Sequence, residues 1–315
     1  MKILSLFDGI SCARVALERV GISVEAYFAS EIDKYAIQIA KKNFPNTEEI
    51  GDVTMLDGYW LGVDGIDLLI GGSPCQDLSI AKRNRKGLDG ERSGLFWEYV
   101  RILKKVKPKW FLLENVASMP KEAKQTITET LGVEPIMINA ALVSAQNRKR
   151  LFWTNIPNVK IPNDKGILLK DILENGDSDR LKSYAIDANY FKGSSWEHYK
   201  KKGNRQLVFL GGIRNKDWAK DGKDYSRNFG QGDRVYSPDG KSTTLSALGG
   251  GRGAKTGLYK TDNLIRKLTP IECERLQGLP DNYTEGCSNT QRYKMLGNAF
   301  NVDVVAHILS NLISK

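Results

Sequence analysis

Residues 1–155 alternate short apolar, β-branched runs with helical stretches. "KILSLFDG" reads as a strand and "CARVALERVG" as a helix ended by Gly21. "VEAYFASEID" is a strand with a polar end, and "KYAIQIAKKNF" a helix. "IDLLIGG" is a strand, "GLFWEYVRILKKVK" a helix and "PKWFLLENV" a strand, with "MINAALVS" and "RLFWTNI" as two more strands. Helices between successive strands bring each strand back in the same direction. The alternation therefore predicts an α/β fold with a parallel, doubly wound, Rossmann-like sheet covered by helices on both faces. Ligands of such sheets bind at the carboxyl ends of the strands, so the residues just beyond each strand are the ones to read for chemistry.

The rhythm stops near residue 156. Residues 155–265 hold 20 Lys and Arg against 13 Asp and Glu, a net of +7 out of the chain's +10. Twelve of the 30 glycines fall between 203 and 257. This predicts a smaller, irregular, β-rich second domain that carries the basic surface and begins near "NIPNVKIPND". Helical pattern returns in "TPIECERLQG", which has a Thr cap, Pro at the first helical position and Glu272 at the third. "NVDVVAHILSNLIS" reads as a terminal amphipathic helix that packs back on the first domain. The expected division is 1–157, completed by a C-terminal helix over 294–315, and a second domain with its return segment over 158–293.

Composition removes several classes. No apolar run approaches the roughly 20 residues that cross a bilayer. "MKILSLFDG" is a first strand rather than a signal peptide. Cys12, Cys75, Cys273 and Cys287 are scattered and only two histidines are present, which argues against a disulfide framework or a zinc site. A reducing cytosol is the default compartment. A net charge of +10 fits a polyanionic partner or a merely soluble basic protein.

The strand ends carry candidate chemistry, each group with a plainer alternative. After the first strand, Gly9 sits on a turn; Glu31, about twenty residues on, ends the next strand; Asp52 lies in a third strand position, "GDVTML". Together they suit a nucleoside-containing cofactor, with Glu31 accepting from ribose hydroxyls and Asp52 from an adenine amine. Alternatively, a lone glycine ends a strand and the acids are solvated caps. In "LLIGGSPCQDLSIAKRNRKG", Cys75 follows Pro74 at a strand end, with Lys82, Arg83, Arg85 and Lys86 nearby. Positive charge favours a nucleophilic thiolate, whereas most free cysteines are small buried hydrophobes. Glu114 ends the apolar run of "PKWFLLENV" and is either a general acid or half of a turn pair with Asn115. Arg148 and Arg150 in "SAQNRKRLFW", two apart on a strand, share a face that meets either one ligand or solvent.

In this order the motifs resemble those of the DNA cytosine-C5 methyltransferases. "LFDGI" is similar to the first motif, "GGSPCQDLS" to the Pro-Cys nucleophile motif, "ENV" to the glutamate motif and "QNRKR" to the Gln-x-Arg-x-Arg motif. "RKLTPIECERLQGLPDNY" and "YKMLGNAFNV" resemble the last two. Residues 1–157 are also similar to the catalytic domain of animal de novo DNA methyltransferases. "GQGDRVYSPDGKSTTLSALGGGRGAKTG" resembles the target-recognition segment of bacterial members that modify GCGC-type sites. The family pattern is departed from at Ser11–Cys12, where a glycine is common.

The resemblance implies a reaction. The Cys75 thiolate attacks C6 of a flipped-out cytosine, Glu114 contacts N3 and the exocyclic amine, Arg150 holds O2, and Arg148 orders the site. C5 then takes a methyl group from S-adenosylmethionine, leaving S-adenosylhomocysteine, with no metal involved. Phe7, Gly9, Glu31, Asp52, Val53, Pro74, Leu95 and Asn298 are the implied cofactor residues. Gln76, Ser79, Lys82 and Arg83 of the basic stretch, with Gln231, Arg234, Thr244 and Ser246, are the implied contacts to a short, GC-containing duplex DNA site. Gln231 would fill the gap left by the flipped base and Arg234 would read guanine. A monomer in the cytoplasm of a bacterial or phage-infected cell is expected, with a cognate restriction endonuclease as a candidate partner. Two rivals stand beside this reading: a tRNA cytosine-5 methyltransferase of the same fold, and a catalytically silent DNA-binding protein.

Overall fold

The computed structural model describes residues 1–56, 65–74, 94–174 and 268–313, together with the backbone alone of 211–212, 234–236, 258–261 and 264–266. It divides into two compact units: 1–139, 149–163 and 299–315 form the first, and 140–148 with 164–298 the second.

The first unit is built on seven strands: β1 (Lys2–Leu6), β2 (Ala26–Ser30), β3 (Glu48–Glu49), β4 (Leu68–Gly71), β5 (Trp110–Val116), β6 (Ile136–Asn139) and β7 (Lys149–Thr154). Their order in the sheet is β3-β2-β1-β4-β5-β7-β6. The chain winds outward from β1 to β3 and then returns to place β4 on the other side of β1. The strand order thus reverses between β1 and β4, where an open α/β sheet leaves a crevice at its carboxyl edge.

Burial explains why these runs are apolar without alternation. Ile3, Leu4, Ser5 and Leu6 are all buried, as are Leu68, Leu69 and Ile70. Successive strand residues point to opposite faces, so both faces of the sheet are covered. Helices α1 (Cys12–Arg19), α2 (Lys34–Asn43), α3 (Leu95–Val106) and α4 (Lys121–Leu131) connect the strands. Phe96, Tyr99 and Ile102 of α3 and Ala123 and Ile127 of α4 join Leu4, Leu6, Leu69 and Leu113 in one core cluster. Burying each such side chain contributes about 1.5–3 kcal/mol.

Three expectations need correction. The sheet is not all parallel: β7 runs antiparallel to both β5 and β6. The segment between β6 and β7 holds a short 3-10 turn over Ala140–Leu142 rather than a crossover helix, so the chain reverses instead of returning in parallel. "GDVTML" is not a strand position. Gly51 takes φ +78°, and Asp52 caps a 3-10 turn over Val53–Met55 by accepting from Thr54 N. Nor is 294–315 one helix. In the second unit, α5 (Pro270–Leu276) is followed by α6 (Asn289–Asn298); α7 (Val302–Leu309) belongs to the first unit, and Asn301 caps its start by accepting from Val304 N. α7 packs on α1, where Arg19 pairs with Asp303 at 2.7 Å.

The second unit holds a four-stranded sheet, β8 (Gly211–Gly212), β9 (Arg234–Tyr236), β10 (Leu258–Thr261) and β11 (Leu264–Arg266), joined in sequence order. Beside α5, the Thr269–Glu272 capping box is closed reciprocally, as the Thr-Pro-x-Glu spacing predicts. Glu274 is fully buried, accepting from Asn282 N and Thr284 N and pairing with Arg292 at 2.9 Å. No helix among the described residues is long and apolar enough to cross a membrane.

Candidate active site

The turn after β1 has unusual backbone. Phe7, Gly9 and Ser11 take φ of 57°, 64° and 58°. At Phe7 and Ser11 this left-handed conformation crowds Cβ against the backbone and needs local support. Asp8 gives some of it. Its carboxylate is buried, with Oδ2 accepting from Ser11 Oγ and Oδ1 from the Tyr27 hydroxyl, each at 2.6 Å. Burial raises the Asp8 carboxyl above its ordinary range, against the hydrogen bonds and the nearby Arg14 charge. Arg14 is itself buried, its guanidinium 5.2 Å from the Tyr27 ring and 4.9 Å from the Phe44 ring.

Glu31, just beyond β2, ties this turn to its neighbour. Its Oε2 accepts from Gly9 N at 2.8 Å, and its Oε1 from Ile32 N at 2.7 Å and Asp33 N at 2.9 Å. Three backbone donors therefore fix the carboxylate at the crevice. A Cβ built on Gly9 would meet nothing within 4 Å, so open space lies over the backbone beside that carboxylate. An open glycine backbone flanked by a preset acceptor fits the ribose end of a nucleoside cofactor. Asp52 sits on the next turn, accepting from Thr54 N and Thr54 Oγ1 at 2.9 Å. From α3, Arg101 holds that turn by donating to the carbonyls of Val53 and Leu56.

Glu49, at the end of β3, completes this side. Its carboxylate oxygens are buried and have no hydrogen-bond partner among the described residues. Burial first, then the Asp8 charge, push it up to about 7, with Lys41 opposing and Glu31 adding to the rise.

The ends of β4, β5 and β7 form the other side. Glu114 on β5 and Arg150 on β7 form an ion pair, Oε1 to Nε, at 2.7 Å, each side chain 14% exposed. Gly72 lies against that pair. A Cβ there would stand 2.7 Å from the Phe300 ring and 3.2 Å from Glu114 Oε2, so only glycine leaves room. Asn115 is buried, its amide donating to Ser73 Oγ at 3.1 Å and its Oδ1 accepting from Val116 N at 2.8 Å. It holds the residue that precedes Pro74 at the exit of β4.

The structure brings Gly9 together with Glu31, and Glu114 with Arg150. Arg148 and Arg150 take different protein partners. Arg148 precedes β7 and donates to the Gly297 carbonyl within the second unit, whereas Arg150 pairs within the first. Phe7, Pro74 and Leu95 are half-buried, Val53 is buried, and Asn298 is an exposed residue closing α6. Cys75, Gln76, Ser79, Lys82, Arg83, Gln231, Thr244 and Ser246 lie outside the described residues, and of Arg234 only the backbone, in β9, is described. Asp8, Gly72 and Arg101 are positioning residues that the sequence reading passed over. For Asp8 a signal existed: an acid directly after an apolar strand, three residues before a Ser that stands where a glycine is common.

The profile of the C-5 cytosine-specific DNA methylase family matches residues 1–314, and the chain belongs to that family. The type II methyltransferase M.HhaI of Haemophilus parahaemolyticus is 31% identical, over 100% of this chain and 95% of that protein. The orphan methyltransferase M.Rho11sI of Bacillus phage rho11s is 33% identical over 84% of this chain, and the match spans 61% of the phage protein's length. Among solved structures, the methyltransferase EhMeth of Entamoeba histolytica shares the fold with a TM-score of 0.69 at 17% identity, over 99% of this chain and 98% of that one. S. pombe Dnmt2 does so with a TM-score of 0.65 at 18% identity, with the same coverage. Members of the family use S-adenosylmethionine as methyl donor. Among the described residues no cluster of His, Cys, Asp and Glu could hold a metal ion.

Proposed function

We propose that the protein transfers a methyl group from S-adenosylmethionine to C5 of a cytosine flipped out of a short, GC-containing duplex DNA site. The observation that carries the reading is the Glu114–Arg150 pair beside Gly72, at the mouth of the strand that runs into Pro74–Cys75.

The bound methyl donor supplies an electrophilic methyl group. Cys75, as thiolate, adds to C6 of the ring, and the electron pair moves toward C5. Glu114 contacts N3 and the exocyclic amine, where protonation draws off developing charge, and Arg150 holds O2. After C5 is methylated, loss of the C5 proton and β-elimination of the Cys75 sulfur restore the ring and the enzyme. Flipping the base out of the duplex costs roughly a few kcal/mol. Gln76, Ser79, Lys82 and Arg83 meet the DNA, Gln231 fills the vacated position, Arg234 reads guanine, and Thr244 and Ser246 touch the backbone. Phe7, Gly9, Glu31, Asp52, Val53, Pro74 and Leu95 are assigned to the methyl donor. The protein is taken to act as a monomer.

Methyl transfer tests this directly. The protein is mixed with S-adenosylmethionine carrying a labelled methyl group and with unmethylated bacterial duplex DNA or tRNA, and Cys75→Ser is run alongside. Label in DNA cytosine that disappears with Cys75→Ser is the expected result. Label confined to tRNA moves the function to RNA. DNA binding with no label leaves a silent binder.

A further inference from the structure

In the turn after β1, Ser11 is not a glycine, yet its backbone takes the left-handed conformation that glycine favours, with φ of 58°. An L-residue adopts it only against the clash of its own Cβ. What is present at Ser11 and would be missing at an alanine is a hydroxyl, and that hydroxyl donates to Asp8 Oδ2 at 2.6 Å. Asp8 is placed to receive it. Its side chain is buried, its other oxygen is held by Tyr27, and its backbone N–H donates to the Ser30 carbonyl at 3.1 Å. The loop is thus anchored to β2 twice through Asp8, and Ser11 is anchored to Asp8. From α1, Arg14 N and Val15 N donate to the Ser11 carbonyl, at 3.0 and 3.2 Å, so the conformation of Ser11 also sets how α1 begins.

We propose that Asp8 is a positioning residue for methyl-donor binding, which holds Ser11 in the left-handed conformation that a glycine would adopt without such help. This rests on the assignment of the Phe7–Ser11 turn and Glu31 to the methyl donor. Gly9 N reaches Glu31 Oε2 from the middle of the same turn, at 2.8 Å. A turn that relaxes at Ser11 loses the alignment of Gly9 with that carboxylate.

The test measures the dissociation constant of S-adenosylhomocysteine by calorimetry on the full chain, with thermal unfolding as a check on folding. Ser11→Ala and Ser11→Gly both lack the hydroxyl and differ only in tolerance of positive φ. Ser11→Ala is expected to bind about tenfold more weakly than Ser11→Gly. Asp8→Ala is expected to lose about tenfold, and Ser11→Gly added to it to recover most of that loss. If Asp8→Ala fails to fold, the Ser11 pair decides alone. Equal affinity in Ser11→Ala and Ser11→Gly overturns the proposal. Glu31→Ala is measured beside them and is expected to lose at least tenfold. Full affinity in Glu31→Ala overturns the cofactor assignment, and the proposal with it. Loss in Glu31→Ala with no difference between the Ser11 variants overturns the proposal alone.

Discussion

The end of β2 and the end of β5 each present a carboxylate at the carboxyl edge of the same sheet, but they hold it by different means. Glu31 is fixed by three backbone N–H groups, none of which can leave without unfolding the turn. Glu114 is held by one side chain, the Arg150 guanidinium, at 2.7 Å. Backbone donors make a rigid acceptor, suited to a part of a ligand, such as a ribose, that the reaction leaves unchanged. A side-chain pair can exchange partners, which suits a group that meets different charges on a base as the reaction proceeds. The contrast fits the proposed division, with binding at the first site and chemistry at the second.

The sharpest way to break that contrast is to alter Glu114. Glu114→Gln keeps the shape and removes the acid, and is expected to lower kcat by about 10²–10⁴-fold. Affinity for S-adenosylhomocysteine should stay within about twofold. Equilibrium binding and single-turnover methyl transfer, measured on one preparation, separate the two. A matching loss of affinity would mean that the two strand ends form one functional unit.

A smaller effect is expected from Gly72→Ala. The added Cβ falls 2.7 Å from Phe300 and 3.2 Å from Glu114 Oε2, so the ring, the carboxylate or both must move. Overpacking of this kind costs about 1–3 kcal/mol. Thermal unfolding should register it, and activity should fall through displacement of Glu114. An unchanged melting temperature and rate would show that Phe300 swings aside freely.

How far the sequence carried the reading depends on what each residue's role rests on. The strands were legible because burial on both faces removes alternation and leaves continuous apolar runs such as "LLIG". Glu31, Glu114 and Arg150 stood out because each is a charged residue where an apolar strand run ends or begins. Helix α4 left little trace. Thr126, Ile127, Thr128 and Thr130 are β-branched and favour strand, and its boundaries rest on Pro120 at one end and Gly132, at φ +69°, at the other. The antiparallel turn-back of β7 was hidden for a topological reason, since strand composition does not encode direction. Arg148 and Arg150 were read as one face because their spacing suits a strand, but the strand begins at Lys149 and the two side chains go to different partners.

The mildest perturbation concerns Glu49, which belongs to the binding side yet lacks the donors that Glu31 enjoys. Its carboxyl is pushed up to about 7 from 4.5, chiefly by burial and next by Asp8, with Glu31 on the same side and Lys41 opposing. The folded protein therefore holds a proton there, between about pH 4.5 and 7, that the unfolded chain has released. Where the folded state binds more protons, stability falls as pH rises. The penalty is absent below the unfolded value and complete above the folded one. Glu49→Gln cannot ionise and removes it. The variant should match the parent near pH 4 and exceed it at pH 8 by about 1–2 kcal/mol, once discounted for the solvent that still reaches part of the side chain. Denaturant unfolding across that range measures the difference. A constant offset between the two proteins would place the effect in packing rather than in the proton.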